Sequence, residues 1–181
     1  MKITLAGSPG SGKSTLRKML AEHYGLSTKC TGDFMRELSR EYGFSDITEF
    51  LVKYVSNHPE VDHRVDEEQG NYGKVNDNFV LDAHLGFHFV PDSIRIRLVC
   101  ELEEASMRIL KDKQRTNEEA KTISDSIFAS QKRMDTMRKN FFNLYKVDIE
   151  DPSNFDLILD TTKLSSSEVF NRVLAYIDGQ I

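Results

Sequence analysis

The most constraining feature of this sequence is a glycine-rich segment close to its start. Residues 7–14 read Gly-Ser-Pro-Gly-Ser-Gly-Lys-Ser and fit the pattern G-x-x-x-x-G-K-[ST]. The apolar run Ile3–Ala6 precedes the segment, and Leu16, Met19 and Leu20 follow it with helical spacing. In such a strand–loop–helix context, backbone N–H groups and a helix N-terminus point at phosphate. The chain is therefore predicted to begin with a phosphate-binding loop.

The residue types of this loop indicate its ligand. Lys13 is placed to reach the β- and γ-phosphates of a nucleotide, and the Ser14 hydroxyl can ligate Mg²⁺. Asp82 ends the apolar run Phe79–Leu81, so it either holds a metal-bound water at the carboxyl edge of a sheet or caps the next turn. We therefore expect ATP and Mg²⁺ as ligands. The residues expected to contact ATP are Gly7, Ser8, Pro9, Gly10, Ser11, Gly12, Lys13, Ser14 and Thr15.

Short apolar runs recur along the chain and alternate with segments of helical spacing. Besides Ile3–Ala6 and the run before Asp82, they are Ile94–Val99, Phe155–Leu159 and a weaker one at Ser27–Cys30. Strands that alternate with helices indicate βαβ units, and hence a mainly parallel sheet with helices on both faces. The predicted fold class is α/β, a three-layer sandwich around a mainly five-stranded parallel sheet.

Three helices are marked by their spacing or their caps. An amphipathic helix is predicted to start near Ser45, and a long helix to span about Asn117–Tyr145. The last helix should begin at the capping box Ser165-x-x-Glu168.

Composition limits the class of protein. The 181 residues are 39% hydrophobic and 29% charged, as expected for a single globular domain over residues 1–181. No apolar run approaches a membrane span and no signal-peptide pattern opens the chain, so a cytoplasmic protein without membrane partners is expected. The net charge of −5 argues against duplex nucleic acid as a partner. Cys30 and Cys100 are expected to be reduced core residues.

The segment after the first predicted helix carries a candidate for binding a second phosphate. Arg36 lies one turn into a helix that begins within Thr31–Glu37, and its planar guanidinium suits a phosphate group. The alternative is an exposed helix arginine that pairs with Glu37 or with the acidic neighbours of Arg40. Residues 108–139 are rich in basic side chains, which either meet phosphates or form a solvated helix face.

The order of these motifs resembles the P-loop nucleoside monophosphate kinases, most closely their short cytidylate kinase-like branch. Gly32–Leu38 matches the G-D-x-F/x-R-E-L helix start of that branch, His58–Asp62 its P-E-I-D segment, and Tyr145–Ile149 its Y-x-I-D-I segment. The resemblance covers nearly the whole chain. It implies the P-loop NTPase form of the sandwich, with a helical acceptor-binding insertion at about 46–75 and a lid at about 108–118. It also implies small-molecule nucleotides as partners and a monomer or weak dimer.

The resemblance further implies roles for charged residues outside the loop. The acceptor would be bound by Asp33, Arg36, Asp62, Asp66 and His84. Catalysis would rest on Lys13, Arg36, Arg108 and Arg133, with Lys111, Lys113 and Arg115 as further lid cations. The aspartates either take a base amino group or are solvated surface residues. A phosphate acceptor oxygen is already anionic, so these groups would position substrates, neutralise charge and exclude water without a general base.

Two positions depart from the family pattern. His84 stands where an arginine generally follows the acidic strand end, and Asn140 stands where the long helix generally carries a second arginine. His84 either contacts the acceptor phosphate or packs at the strand end. In the first case its unperturbed pKa of about 6.5 predicts an acceptor affinity that weakens as pH rises between about 6 and 8.

The leading function is ATP-dependent phosphoryl transfer to a nucleoside monophosphate, with CMP or dCMP favoured. Two alternatives stay open because of the departures at His84 and Asn140. One is a P-loop kinase for another small metabolite, and the other is a nucleotide-binding regulatory module without turnover. Acceptor-dependent release of ADP distinguishes the three.

Overall fold

A parallel sheet of five strands forms the centre of the computed structural model, which describes residues 1–112 and 122–179. The strands are β1 (Lys2–Gly7), β2 (Ser27–Cys30), β3 (Phe79–Asp82), β4 (Ile94–Val99) and β5 (Leu157–Asp160). Their order is β2–β3–β1–β4–β5, and every neighbouring pair is parallel. The α/β fold class predicted from the sequence is confirmed.

Helices connect the strands and cover both faces of the sheet. The α-helices are α1 (Lys13–Tyr24), α2 (Thr31–Glu41), α3 (Ile47–Glu49), α4 (Pro59–Val75), α5 (Gly86–Phe89), α6 (Leu102–Lys111), α7 (Ile123–Tyr145) and α8 (Ser166–Ile177). A π-helical stretch, Phe50–Tyr54, and a 3₁₀ turn, Val55–Asn57, continue α3, and a further 3₁₀ turn spans Pro152–Asn154. Among the described helices, none is both long and apolar enough to cross a bilayer.

The two C-terminal helices agree with their sequence signals. The predicted capping box of α8 is present, because Ser165 accepts from the Glu168 backbone and Glu168 accepts from the Ser165 backbone. α7 ends at Tyr145 as predicted and begins after a second capping box at Thr122. Its predicted start near Asn117 lies outside the described residues.

The predicted amphipathic helix near Ser45 differs from the observed structure. Asp46 accepts a hydrogen bond from the Glu49 backbone (2.8 Å) and starts α3, but after one turn the backbone widens into the π-helical stretch. There the ring of the buried Phe50 stacks on that of Tyr54, with centroids 5.7 Å apart. A helical segment thus begins near Ser45 as predicted, but apolar spacing of three and four residues does not distinguish an α turn from a π turn, so the π-helical stretch was not predicted.

Two apolar clusters join the layers. The first lies between α1, α8 and the sheet, and it includes Ile3, Leu20, Ile96 and Val173, which are fully buried. The second surrounds Phe50 and joins α2, α3, α4 and α7. Full burial of one such side chain contributes about 1.5–3 kcal/mol. The helical insertion is therefore packed against α7 rather than suspended above the sheet.

The two cysteines lie at the carboxyl edge of the sheet. Cys30 ends β2 and Cys100 follows β4, and both are free thiols. Each is only partly buried, so the expectation of core cysteines was wrong. The surroundings of Cys30 still raise the pKa of its thiol to about 12, chiefly through burial. A thiol with such a pKa stays protonated and unreactive at neutral pH.

Candidate functional site

The segment between β1 and α1 follows a path that only glycine allows at two points. Gly7 has φ of 137°, and a Cβ there would lie 2.0 Å from the Leu98 carbonyl oxygen of β4. Gly10 has φ of 79°, and a Cβ there would lie 2.4 Å from the Ala105 carbonyl oxygen of α6. A side chain at either point would push the loop off its neighbours. These contacts therefore fix the loop against both elements.

Lys13 lies across this loop. Its Nζ donates hydrogen bonds to the carbonyl oxygens of Gly7 (2.8 Å) and Ser8 (2.9 Å). The ammonium group is thus placed at the loop itself, at the first residue of α1, where the helix N-terminus also carries positive potential. An anion bound in the loop would meet both.

Ser14 and Asp82 come together at the carboxyl edge of the sheet. The Ser14 hydroxyl donates to Asp82 Oδ2 at 3.2 Å, and the carboxylate is largely buried. A hydroxyl and a carboxylate oxygen are the hard donors that Mg²⁺ prefers. Within residues 1–112 and 122–179, no group of three or more His, Cys, Asp or Glu side chains could hold a metal ion. The pair therefore suits an ion that takes its other ligands from nucleotide phosphates and water.

A cavity of about 690 Å³ opens beside the loop and is mostly cationic. Its charged lining residues are Lys13, Arg17, Lys18, Asp33, Arg36, Glu37, Arg40, Arg108 and Asp112. Arg36 Nη1 donates to Asp33 Oδ1 at 3.0 Å, so the guanidinium pairs with Asp33. The cavity is large enough and positive enough for nucleotide phosphates.

A second, narrower cavity lies between α2, α4, α7 and the residues after β3. It is lined by polar side chains at Asp62, Asp66, Gln69, His84 and Arg133 and by apolar ones. The apolar lining residues are Met35, Leu51, Val65, Leu85, Met137 and Phe141. Four predicted site residues therefore meet here. Asp33 is not among them, because it lies in the cationic cavity.

The two aspartates of the second cavity are buried, and their pKa values lie close to neutral pH. Burial, and then the neighbouring Asp66, raise the pKa of Asp62 to about 7, while a hydrogen bond from Asn140 lowers it. Burial likewise raises the pKa of Asp66 to about 6, against hydrogen bonds from Tyr145 (2.6 Å) and Gln69 (2.8 Å). Asn140, which departs from the family pattern, thus contacts Asp62.

His84 lines the same cavity and is surrounded by cations. Burial, followed by the charges of Lys13, Arg133 and Arg97, holds the pKa of His84 well below its usual value. The free protein therefore carries a neutral imidazole at neutral pH. The expected dependence of acceptor affinity on pH refers to the bound state, so it stays a prediction, although its window between about pH 6 and 8 was set from the unperturbed pKa. The cations that add to the effect of burial on His84 also create a positive region suited to a phosphate group.

Arg108 of α6 is held in place by hydrogen bonds near the loop. Its guanidinium donates to Glu104 (2.8 Å) and to the Thr161 carbonyl (2.9 Å), and Thr161 Oγ1 in turn donates to the Ser11 carbonyl (3.0 Å). Residues 108–111 form the last turn of α6, so the predicted lid at about 108–118 would begin within this helix. Lys113, Arg115 and the rest of the predicted lid lie outside the described residues.

Comparison with known proteins agrees with this geometry. A family model described as an AAA domain matches residues 3–151. The cytidylate kinase of Pyrococcus horikoshii is 36% identical over 177 residues, which cover 97% of this chain and 88% of that kinase. The chain belongs to the P-loop kinases, in their cytidylate kinase-like branch.

Two further similarities bear on this P-loop kinase. An S-adenosylmethionine-dependent nucleotide dehydratase of Lacinutrix mariniflava is 34% identical over 97% of this chain, but the match covers 35% of that protein. Shikimate kinase from Acinetobacter baumannii, in complex with shikimate, superposes with a TM-score of 0.61 at 20% identity, covering 99% of this chain and 93% of that one. The second similarity supports the fold alone.

Sequence reasoning missed three residues of this P-loop kinase site. Arg17 lines the cationic cavity and donates to Thr28 Oγ1 at 3.1 Å. Its position four residues after Lys13, on the same face of α1, was a usable signal. Gln69 follows Asp66 by three residues on α4, and this spacing was a weaker sequence signal. Thr161 gave no local signal, because its contact with the loop spans the length of the chain.

Proposed function

We propose that this protein transfers the γ-phosphoryl group of ATP to a nucleoside monophosphate, with CMP or dCMP as the preferred acceptor. One observation carries the proposal, namely that the second cavity combines two kinds of polar group. It has the buried carboxyl groups of Asp62 and Asp66, and near His84 it has cations, among them Lys13 of the loop. A nucleoside monophosphate has the matching polarity, with a hydrogen-bonding base at one end and an anion at the other. The similarity to named cytidylate kinases supports the same acceptor.

The donor side of the reaction would use the loop. Backbone N–H groups of residues 7–15 and the Lys13 ammonium would hold the β- and γ-phosphates of ATP. Ser14 and Asp82 would hold Mg²⁺, directly and through water, and the bound ion would neutralise phosphate charge. A cavity of about 180 Å³ beside the Arg108–Thr161 contact offers the donor base a partly apolar surface.

The acceptor side would work by positioning. Arg36 and Arg133 would hold the acceptor phosphate in line with the γ-phosphoryl group, and neutral His84 would contribute an imidazole hydrogen bond. The attacking phosphate oxygen carries its charge already, so no residue needs to remove a proton. The helical insertion, packed against α7, would exclude water, which otherwise competes as acceptor.

A panel of acceptors tests the proposal. ADP release is measured with ATP, Mg²⁺ and each of CMP, dCMP, UMP, AMP, GMP and shikimate, with the Lys13→Ala variant as the control for contaminating kinases. Release that depends on CMP or dCMP supports the proposal. Release with shikimate or another metabolite alone, or ATP binding without release with any acceptor, would overturn it.

A further inference from the structure

One buried acceptor atom in the second cavity has no donor. Gln69 lies on α4, is 3% exposed and lines the cavity. Its Nε2 donates to Asp66 Oδ1 at 2.8 Å, whereas its Oε1 is buried and meets no hydrogen-bond partner among the described residues. Buried polar atoms are nearly always paired in folded proteins, so an exception of this kind points to a missing donor.

The orientation of the Gln69 amide is fixed by its neighbours. Tyr145 Oη donates to Asp66 Oδ2 at 2.6 Å, and Gln69 Nε2 donates to the other oxygen of the same carboxylate. An ionised carboxylate only accepts hydrogen bonds, so the amide must turn its NH₂ group toward Asp66. The Gln69 oxygen is left as an acceptor that has no donor in the part of the chain that the structure describes.

A second acceptor stands on the same helix face. Asp62 precedes Gln69 by two helical turns, lines the same cavity and receives a hydrogen bond from Asn140. Two acceptors in one cavity suit an amino group, which has two N–H donors. A carbonyl oxygen in the same place would face two acceptors and leave both unpaired, which is costly in a buried site.

We infer that Gln69 determines acceptor specificity: its side-chain oxygen, with Asp62, accepts the exocyclic amino group of the acceptor base. Tyr145 and Asp66 act as positioning residues that orient the amide. The inference rests on the proposed function, since it assigns the second cavity to the acceptor. The two acceptor groups would select bases that carry an amino group, and they would distinguish CMP from UMP, which have nearly the same shape.

Binding calorimetry with CMP and with UMP tests the inference. The wild-type protein should bind CMP more tightly than UMP. The Gln69→Met variant, of similar side-chain volume, should weaken CMP binding by about 10-fold to 100-fold, because it removes one hydrogen bond to a buried group. UMP binding should change by less than about threefold, since UMP offers no donor there. The matched control is Gln131→Met, which replaces an exposed glutamine on α7.

A second variant tests the orientation of the amide. Tyr145→Phe keeps the ring but removes the donor to Asp66, so the CMP-to-UMP affinity ratio should fall by about threefold to tenfold. This variant also carries the test if Gln69→Met does not fold. A variant that merely loosened the cavity would weaken both nucleotides equally and leave the ratio unchanged.

Three results would overturn the inference. The first is equal affinity of the wild-type protein for CMP and UMP. The second is a CMP-to-UMP affinity ratio that is unchanged in both variants. The third is an equal loss of affinity for both nucleotides in Gln69→Met, as expected if Gln69 only holds a buried water. Failure of the proposed function is seen separately, because it appears as absent CMP-dependent ADP release by the wild-type protein. The affinity ratio can be measured whether or not turnover occurs.

Discussion

The two halves of the candidate site are built in different ways. The donor half depends on the backbone path, since Gly7 and Gly10 bring the loop against β4 and α6. The acceptor half is made of buried side chains, Asp62, Asp66 and His84, whose charges depend on their surroundings. The path of the first therefore does not depend on the protonation of a side chain. In the acceptor half, substitutions near these side chains can change their charges, so substrate specificity can change there.

The largest expected effect lies on the donor half. Lys13→Ala should lower kcat by about 10³–10⁵, a range taken from cations at other phosphoryl-transfer sites. The fold should survive, because the side chain contacts only its own loop in the hydrogen bonds described. Steady-state kinetics and thermal unfolding measure the two effects, with Lys132→Ala on the exposed face of α7 as the control. Near-normal turnover would show that the loop is not the active centre.

A smaller effect is expected where the two halves meet. Arg36→Ala should raise the KM for the acceptor by about 10-fold to 100-fold, since it removes a charge-assisted hydrogen bond. The affinity for ATP should not change. Initial rates over a matrix of both substrates separate the two constants, and Arg95→Ala, which breaks a remote pair with Asp156, serves as the control. Equal weakening of both substrates contradicts the assignment of Arg36 to the acceptor.

The acceptor half should respond to pH through Asp62. Its ionised form accepts the base amino group better than its protonated form, so CMP affinity should be highest above the pKa of about 7. Lowering the pH from 8 to 6 should weaken binding by about threefold to tenfold. The groups that face Asp62 are Asp66 on α4, Asn140 and Arg133 on α7, and His84 after β3.

Calorimetry across this range, corrected for ionisation of the ligand phosphate, measures the dependence on pH. The Asp62→Asn variant keeps an acceptor oxygen but cannot titrate at this position, so its corrected curve should be flatter than that of the wild type, with only the dependence that comes from Asp66 near pH 6. If the wild-type curve superimposes on that of the variant, a group other than Asp62 is responsible for the dependence on pH.

The smallest effect is expected at His84. Its imidazole is already neutral at pH 7.5 because its pKa is held well below the usual value by burial and nearby cations. Replacing it by another neutral hydrogen-bonding side chain, His84→Gln, should therefore change acceptor affinity by less than about threefold. A loss of tenfold or more would mean that the bound phosphate charges the histidine.

The same contrast explains what the sequence could and could not predict. The loop, the five strands and the Ser14–Asp82 pair depend on local patterns and on the common edge of parallel strands, so they were predictable. The π-helical turn at Phe50 depends on how aromatic rings pack, and the depressed pKa of His84 depends on cations from three elements. The role inferred for Gln69 depends on a single unpaired atom. None of these is encoded in local spacing.

The contact between Thr161 and Ser11 joins residues 150 positions apart, and this has a consequence for how the chain acquires its activity. During synthesis the glycine-rich segment emerges well before the loop after β5 that supports it. A nascent chain that has only reached β4 has the loop sequence without the finished loop. We expect nucleotide affinity to appear with the docking of β5, so pulse-labelled hydrogen exchange during refolding should show the amides of residues 11–14 becoming protected together with those of β5.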